Sequence, residues 1–190
     1  MNDRAKYLEV NDEQNYRINE IRERFSKLYD DIDSIINKAK DSGVEKYISD
    51  TTNIDTCYEM INLADKYDDV YITLGIHPEC VDDSYEELES IINDNLDNPK
   101  FIAIGEIGLD YHYEGYDRNK QIELLEKQLS LAEKINKPVV IHSRDSFNDM
   151  MNILRNHNCR GVIHCFEGTL EEYKQYEELG YDIGVDGNIT

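Results

Sequence analysis

Strand-like and helix-like segments alternate along most of this sequence, which predicts an α/β fold built on a parallel sheet with right-handed crossovers. Two observations carry that reading. The strand candidates are near-continuous apolar runs, the pattern of strands covered on both faces. Each is followed by a stretch with helical periodicity, long enough to return the chain to the same edge. A doubly wound sheet and a (β/α)8 barrel both satisfy this pattern.

The elements follow in order. Between about Asn11 and Asp41 the apolar positions Ile18, Ile21, Phe25, Leu28, Ile32, Ile35, Ile36 and Ala39 recur at helical steps, predicting an amphipathic helix or a broken pair. Ser42-Gly43 supplies a helix stop. Strands are expected at 45–49, 70–76, 101–107, 138–143, 161–166 and 181–185, and helices at 54–67, 84–96, 118–136, 145–157 and 170–180. No internal repeat, low-complexity tract or linker interrupts them. The reading is a single domain over 1–190, with a helical segment over 1–43 and barrel-like units over 44–190.

Composition narrows the function classes. Asp and Glu number 41 against 20 Lys and Arg, a formal charge of −21, so the surface repels phosphate at long range. No basic stripe offers a nucleic-acid footprint, and charge alone argues against such a partner. The N-terminus lacks the apolar core of a secretory signal, and no run is long enough to span a membrane. The four cysteines show no metal-type spacing; reduced thiols in a cytoplasmic protein are expected. There is no GxGxxG, P-loop or GxSxG motif.

The chemistry-bearing residues fall at strand ends. In 101-FIAIGEIGLDYHY-113, Glu106 interrupts an apolar run, and a lone carboxylate there costs several kcal/mol without a positive partner. His77 follows 72-ITLGI-76, His142 follows 139-VVI-141, and His164 follows 161-GVI-163. In parallel α/β folds that edge is where ligands bind. Two imidazoles and a carboxylate form an N/O donor set for a divalent metal, so Glu106, His142 and His164 point to a metal site. The simpler alternative pairs Glu106 with Arg144 or Arg118. His77 before Pro78 has the simpler role of fixing a loop. His112 and His157 are expected to be solvated, and Cys165 to be buried and turned away from the site.

Taken in order, 75-GIHPE-79, 103-AIGEIGLDYHY-113, 121-QIELLEKQLSLAEKINKPVVIHSRD-145 and 161-GVIHCFEGT-169 resemble the TatD family of metal-dependent deoxyribonucleases, and 181-YDIGVDGNIT-190 resembles its seventh-strand segment. The resemblance runs from about Val44 to Thr190. It implies an incomplete (β/α)8 TIM-barrel fold with a helical N-terminal segment, and hydrolysis of DNA phosphodiester bonds by metal-activated water. It further implies Glu106, His142 and His164 as ligands of a divalent metal (Zn, Mn or Mg), and Asp110 and Arg144 as groups beside them that orient metal or substrate. His77 becomes a substrate-binding residue at the mouth. DNA is then reached through the metal rather than a basic surface. The family's first-strand H-x-H pair aligns near Glu20 to Arg22, where there is no histidine, and its eighth-strand aspartate falls after Thr190. A catalytically impaired member acting as an interaction protein, or a related barrel hydrolase with a non-DNA ester or amide substrate, are the alternatives. An incomplete barrel leaves strand edges open, so either the N-terminal helix covers part of the gap or the chain self-associates through those edges.

Overall fold

The computed structural model describes residues 32–185, and the chain divides into two units at residue 45. The first contributes helix α1 (Ile32–Asp41). It stops as the Ser42-Gly43 pair predicts: Gly43 takes φ +89° and its amide N–H donates to the Lys40 carbonyl, the left-handed ending that glycine tolerates best. The rest of the helix expected from Asn11, with the Glu20–Arg22 stretch, lies outside the described residues.

The second unit, from Lys46 onward, contains β1 (Tyr47–Ser49), α2 (Ile54–Lys66), β2 (Val70–Leu74), a 3-10 turn (Pro78–Cys80), α3 (Tyr85–Asp94), β3 (Phe101–Asp110), α4 (Arg118–Ile135), β4 (Val139–Arg144), α5 (Phe147–Leu154), β5 (Gly161–Ile163), α6 (Leu170–Glu178) and β6 (Tyr181–Ile183). All neighbouring strands are parallel, and the sheet order is β1-β2-β3-β4-β5-β6. A doubly wound sheet reverses its strand order at a switch point. This one never does, so it is a six-stranded portion of a barrel. Among the described residues, no helix is long and apolar enough to cross a membrane.

Helix starts follow the side chains that cap them. Asn53 and Thr56 form a reciprocal capping box at α2, Thr169 and Glu172 another at α6, and Asp117 accepts from the Asn119 and Lys120 amides at α4. Each satisfies backbone donors that a helix N-terminus leaves unpaired. Strand β3 is the centre of the sheet, and Phe101, Ile104, Ile107 and Leu109 in it are fully buried. It runs on to Asp110 rather than ending near Ile107, because Gly108, Leu109 and Asp110 pair in register with His142, Ser143 and Arg144. Gly108 is required for that approach: a Cβ there would stand 1.9 Å from the His142 carbonyl oxygen.

The pairing of β3 with β4 slips between Ile104, opposite Val139, and Ile107, opposite Ile141. The irregularity falls at Gly105-Glu106, whose peptide bond is cis. There the Glu106 N–H leaves the ladder and donates to the Thr51 carbonyl at 2.9 Å. Bulges of this kind re-aim side chains, and here the re-aimed residue is the buried glutamate.

Helix α4 packs on β3 and steadies two strand ends. The Gln128 amide donates to the Ile76 carbonyl (3.0 Å) and accepts from the Ile76 N–H (2.8 Å). Two turns earlier on the same face of the helix, Gln121 makes the same pair of bonds with Asp110, both at 2.9 Å. Both glutamines are almost fully buried. Gln128→Leu would strand a buried N–H and a buried C=O, each costing about 1–3 kcal/mol. Urea unfolding is therefore expected to show a loss of about 2–6 kcal/mol; an unchanged midpoint would mean that the strand end does not depend on this clamp.

Candidate metal centre

Every residue of interest sits at the C-terminal edge of the sheet. His77 lies beyond β2, where its Nδ1 accepts from the Glu79 N–H at 3.2 Å and caps the 3-10 turn. Glu106 occupies the β3 irregularity, Asp110 ends β3, and His142 stands on β4 opposite Gly108. His77, Glu106 and Asp110 are buried and His142 is half-buried. One potential ligand atom from each of His77, Glu106 and His142 lies within 4.8 Å of the others, a grouping compact enough to hold a metal ion. The His77 and His142 rings meet edge to face, with centroids 4.4 Å apart.

His142 links the site. Its Nδ1 is 3.2 Å from Glu106 Oε1, and its Nε2 is 2.9 Å from Asp110 Oδ2. Asp110 is held in turn, since its Oδ1 accepts from the His112 N–H and its backbone is clamped by Gln121. Burial pushes the Glu106 carboxyl up, but the His142 hydrogen bond and the charges of His77, His142 and His164 together bring it below its ordinary value. Burial pushes His142 down, and its bonds to Glu106 and Asp110 more than reverse that, so it ends above the usual histidine value. His77 goes the other way: burial, then the neighbouring His142 charge, lower it to about 4, leaving it neutral near pH 7.

The donor set fits a divalent cation. With Nε2–H of the neutral ring donating to Asp110, the Nδ1 lone pair of His142 faces the Glu106 carboxylate. Two such atoms repel unless a proton or a cation lies between them. Ligand atoms about 2.1 Å from one ion, at right or tetrahedral angles, stand about 3.0–3.4 Å apart, and the observed 3.2 Å falls in that range. A carboxylate that fixes the far nitrogen of a ligating histidine is the usual outer support of such sites.

The structure distributes the expected site residues as follows. Glu106 and His142 meet. His77, expected as a substrate-binding residue, stands in the same compact group. His164 lies outside that group: its ring is exposed, its Nε2 is 3.1 Å from Cys165 Sγ, and its charge still bears on Glu106. Neither arginine meets Glu106. Arg118 forms a bidentate pair with Asp149, at 2.6 and 2.7 Å, and Arg144 rests on Tyr113. Cys165 is half-buried beside His164 with φ +43°; strand alternation does not bury it because β5 has already ended at Ile163. His112 is indeed exposed and pairs with Asp145, whereas His157 is not solvated: its side chain is only 13% exposed and meets Glu133. Asp50, directly after β1, is half-buried, and its Oδ1 lies 2.8 Å from the Thr73 hydroxyl.

Residues 22–190 match the family model described as TatD related DNase. The chain belongs to the TatD family. A Bacillus subtilis relative, the uncharacterized metal-dependent hydrolase YabD, is 31% identical over 169 residues, covering 87% of this chain and 66% of its own length. Deoxyribonuclease Tat-D of Schizosaccharomyces pombe is 35% identical over 175 residues, covering 83% of this chain and 55% of its own length. The crystal structure of YjjV, a TatD homologue from Escherichia coli, superposes with a TM-score of 0.79 at 32% identity, over 84% of this chain and 63% of that one. The chain thus spans between about half and two thirds of the length of these relatives.

Removing the outer support should weaken the site of this TatD-family chain without abolishing it. Asp110→Asn is expected to lower affinity for Zn2+ or Mn2+ about 10–100-fold, read by isothermal titration calorimetry on the folded variant. Unchanged affinity would mean that the Asp110–His142 bond does not prepare a ligand.

Proposed function

We propose that this chain contributes the catalytic half-site of a metal-dependent hydrolase that cleaves DNA phosphodiester bonds, with a divalent cation (Zn, Mn or Mg) held at Glu106 and His142. The observation that carries the reading is the Glu106–His142 contact at 3.2 Å, whose far nitrogen is engaged by Asp110. The name of the Schizosaccharomyces pombe relative, a deoxyribonuclease, supports DNA as the substrate. His164 would be a third ligand of such a cation, its ring turned from Cys165.

When bound, such a cation lowers the pKa of water and offsets the negative charge that develops on the phosphoryl oxygens. The protein does the rest. Asp110 keeps the proton on His142 Nε2 and so holds the ring in one tautomer. Because Nδ1 of neutral His77 accepts from the Glu79 N–H, its Nε2 carries the proton and is the donor left for a substrate oxygen. Arg144, exposed and, among the described residues, hydrogen-bonded through its guanidinium to Tyr113, offers that group to a phosphate. Beside the cluster lies a cavity of about 1040 Å³, lined among others by Tyr111, His142, Arg144, His164 and Phe166. Tyr111 stacks on Tyr116 with ring centroids 4.7 Å apart, an aromatic face suited to a base.

The net charge of −21 slows the approach of a polyanion, so DNA binding is expected to depend on cations rather than on a basic surface. A fluorescent oligonucleotide assay with Mn2+, Zn2+ or Mg2+ tests the proposal. Cleavage is expected to stop with a chelator and to fall at least about 100-fold in Glu106→Gln, the scale of losing a main electrostatic group. Cleavage that survives both changes, or none with any metal, would overturn it.

A further inference from the structure

The loop after β3 folds back on itself at Gly115, whose φ of +90° is a conformation that glycine adopts without strain. The turn brings Tyr116 onto Tyr111, with ring centroids 4.7 Å apart and planes within 14° of parallel. Tyr111 is half-buried and Tyr116 is 44% exposed, so Tyr116 is the outer ring of the pair. Both rings line the cavity of about 1040 Å³ that His142 also lines.

The inner ring is clamped at both ends. The Tyr111 N–H donates to the Arg144 carbonyl at 3.0 Å, and the Tyr111 hydroxyl donates to Asp149 Oδ2 at 2.8 Å. Burial, then the Asp149 bond, push the Tyr111 phenol up, so it stays a donor. Asp149 stands in the first turn of α5 and is itself fixed: Arg118 Nε donates to Oδ2 at 2.6 Å and Nη2 to Oδ1 at 2.7 Å. A fork of this kind sets the orientation of both partners. Arg118 opens α4, whose start Asp117 caps. One carboxylate therefore ties the β3 loop to the first turns of two helices. An exposed ion pair adds little to stability by itself; the larger effect of this one is on where the Tyr111 ring lies.

We propose that Asp149 is the positioning residue of a nucleobase platform: it sets Tyr111, and a base of the substrate stacks on the outer ring, Tyr116. The inference rests on DNA as the substrate in the reading above. It adds the means by which the chain tells DNA from a phosphoester that lacks a base. A ring locked in place before binding loses little freedom when the base arrives, which favours the complex. Every base offers a π-face to an aromatic side chain, so the platform selects for the presence of a base and not for its identity.

The test is binding to the full Glu106→Gln chain, in Mg2+, of a short strand with one 2-aminopurine among abasic residues, against the fully abasic strand. Stacking is expected to quench the 2-aminopurine and to make that strand bind at least about 5-fold tighter than the abasic one, the low end of what one stacked base contributes. Adding Tyr116→Leu should remove both effects. Adding Asp149→Asn should remove most of the preference while the abasic strand binds as before, a split that general loosening of the fold does not produce. Tyr111→Phe keeps the ring and deletes only its bond to Asp149, and it decides if Asp149→Asn fails to fold. No quench in the Glu106→Gln chain, or undiminished quench and preference once the clamp is cut, overturns the assignment. Cleavage by the wild type is scored apart from binding. Metal-dependent cleavage without quench removes the platform and leaves the half-site reading standing, whereas quench without cleavage by any metal supports the platform and removes that reading.

Discussion

The buried charge of Glu106 is the constraint around which this structure is organised. A carboxylate in the interior of a central strand is tolerated only with a positive partner and full hydrogen bonding. The partner is His142, which Glu106 and, behind it, Asp110 hold at its two ring nitrogens. The three groups form a single electrostatic unit across β3 and β4, in which Glu106 is held below its ordinary value and His142 above it. Neutral His77, edge to face with His142, limits how much positive charge the unit accumulates.

The scaffold around that unit suppresses motion of its members. Gly108 lets β3 sit against the His142 backbone with no room for a side chain. The β3 irregularity turns Glu106 out of the ladder and ties its amide to Thr51. From the other side, α4 reaches through with Gln121 and Gln128 and satisfies both backbone groups of Asp110 and of Ile76, the residue before His77. A preorganised site depends on such supports more than on the identity of the ligands alone. The long α4 helix is thus part of the site through two neutral, buried glutamines.

Much of this was legible in the residues. Alternating apolar runs and helical stretches located the elements to within a few residues, because both-face burial and helical periodicity are local signals. The choice between a doubly wound sheet and a barrel was not local; it depends on which strand neighbours which, and only the unbroken order β1 to β6 decided it. Glu106 and His142 stood out as polar residues in apolar strands. The partner of Glu106 did not, since an arginine and a histidine are equally good candidates until side-chain directions are known. Cys165 and His157 were misjudged for one reason: alternation and exposure were extrapolated past the ends of β5 and α5, where the chain had already turned.

Whether a divalent cation stands between Glu106 and His142 is read directly by X-ray absorption at the Zn edge of the chain loaded with one equivalent. A first shell of nitrogen and oxygen at about 2.0–2.2 Å is expected, with the outer-shell scattering that imidazole produces, and its loss in His142→Ala. A shell of oxygen alone, or a sulfur scatterer at about 2.3 Å from Cys165, would contradict it.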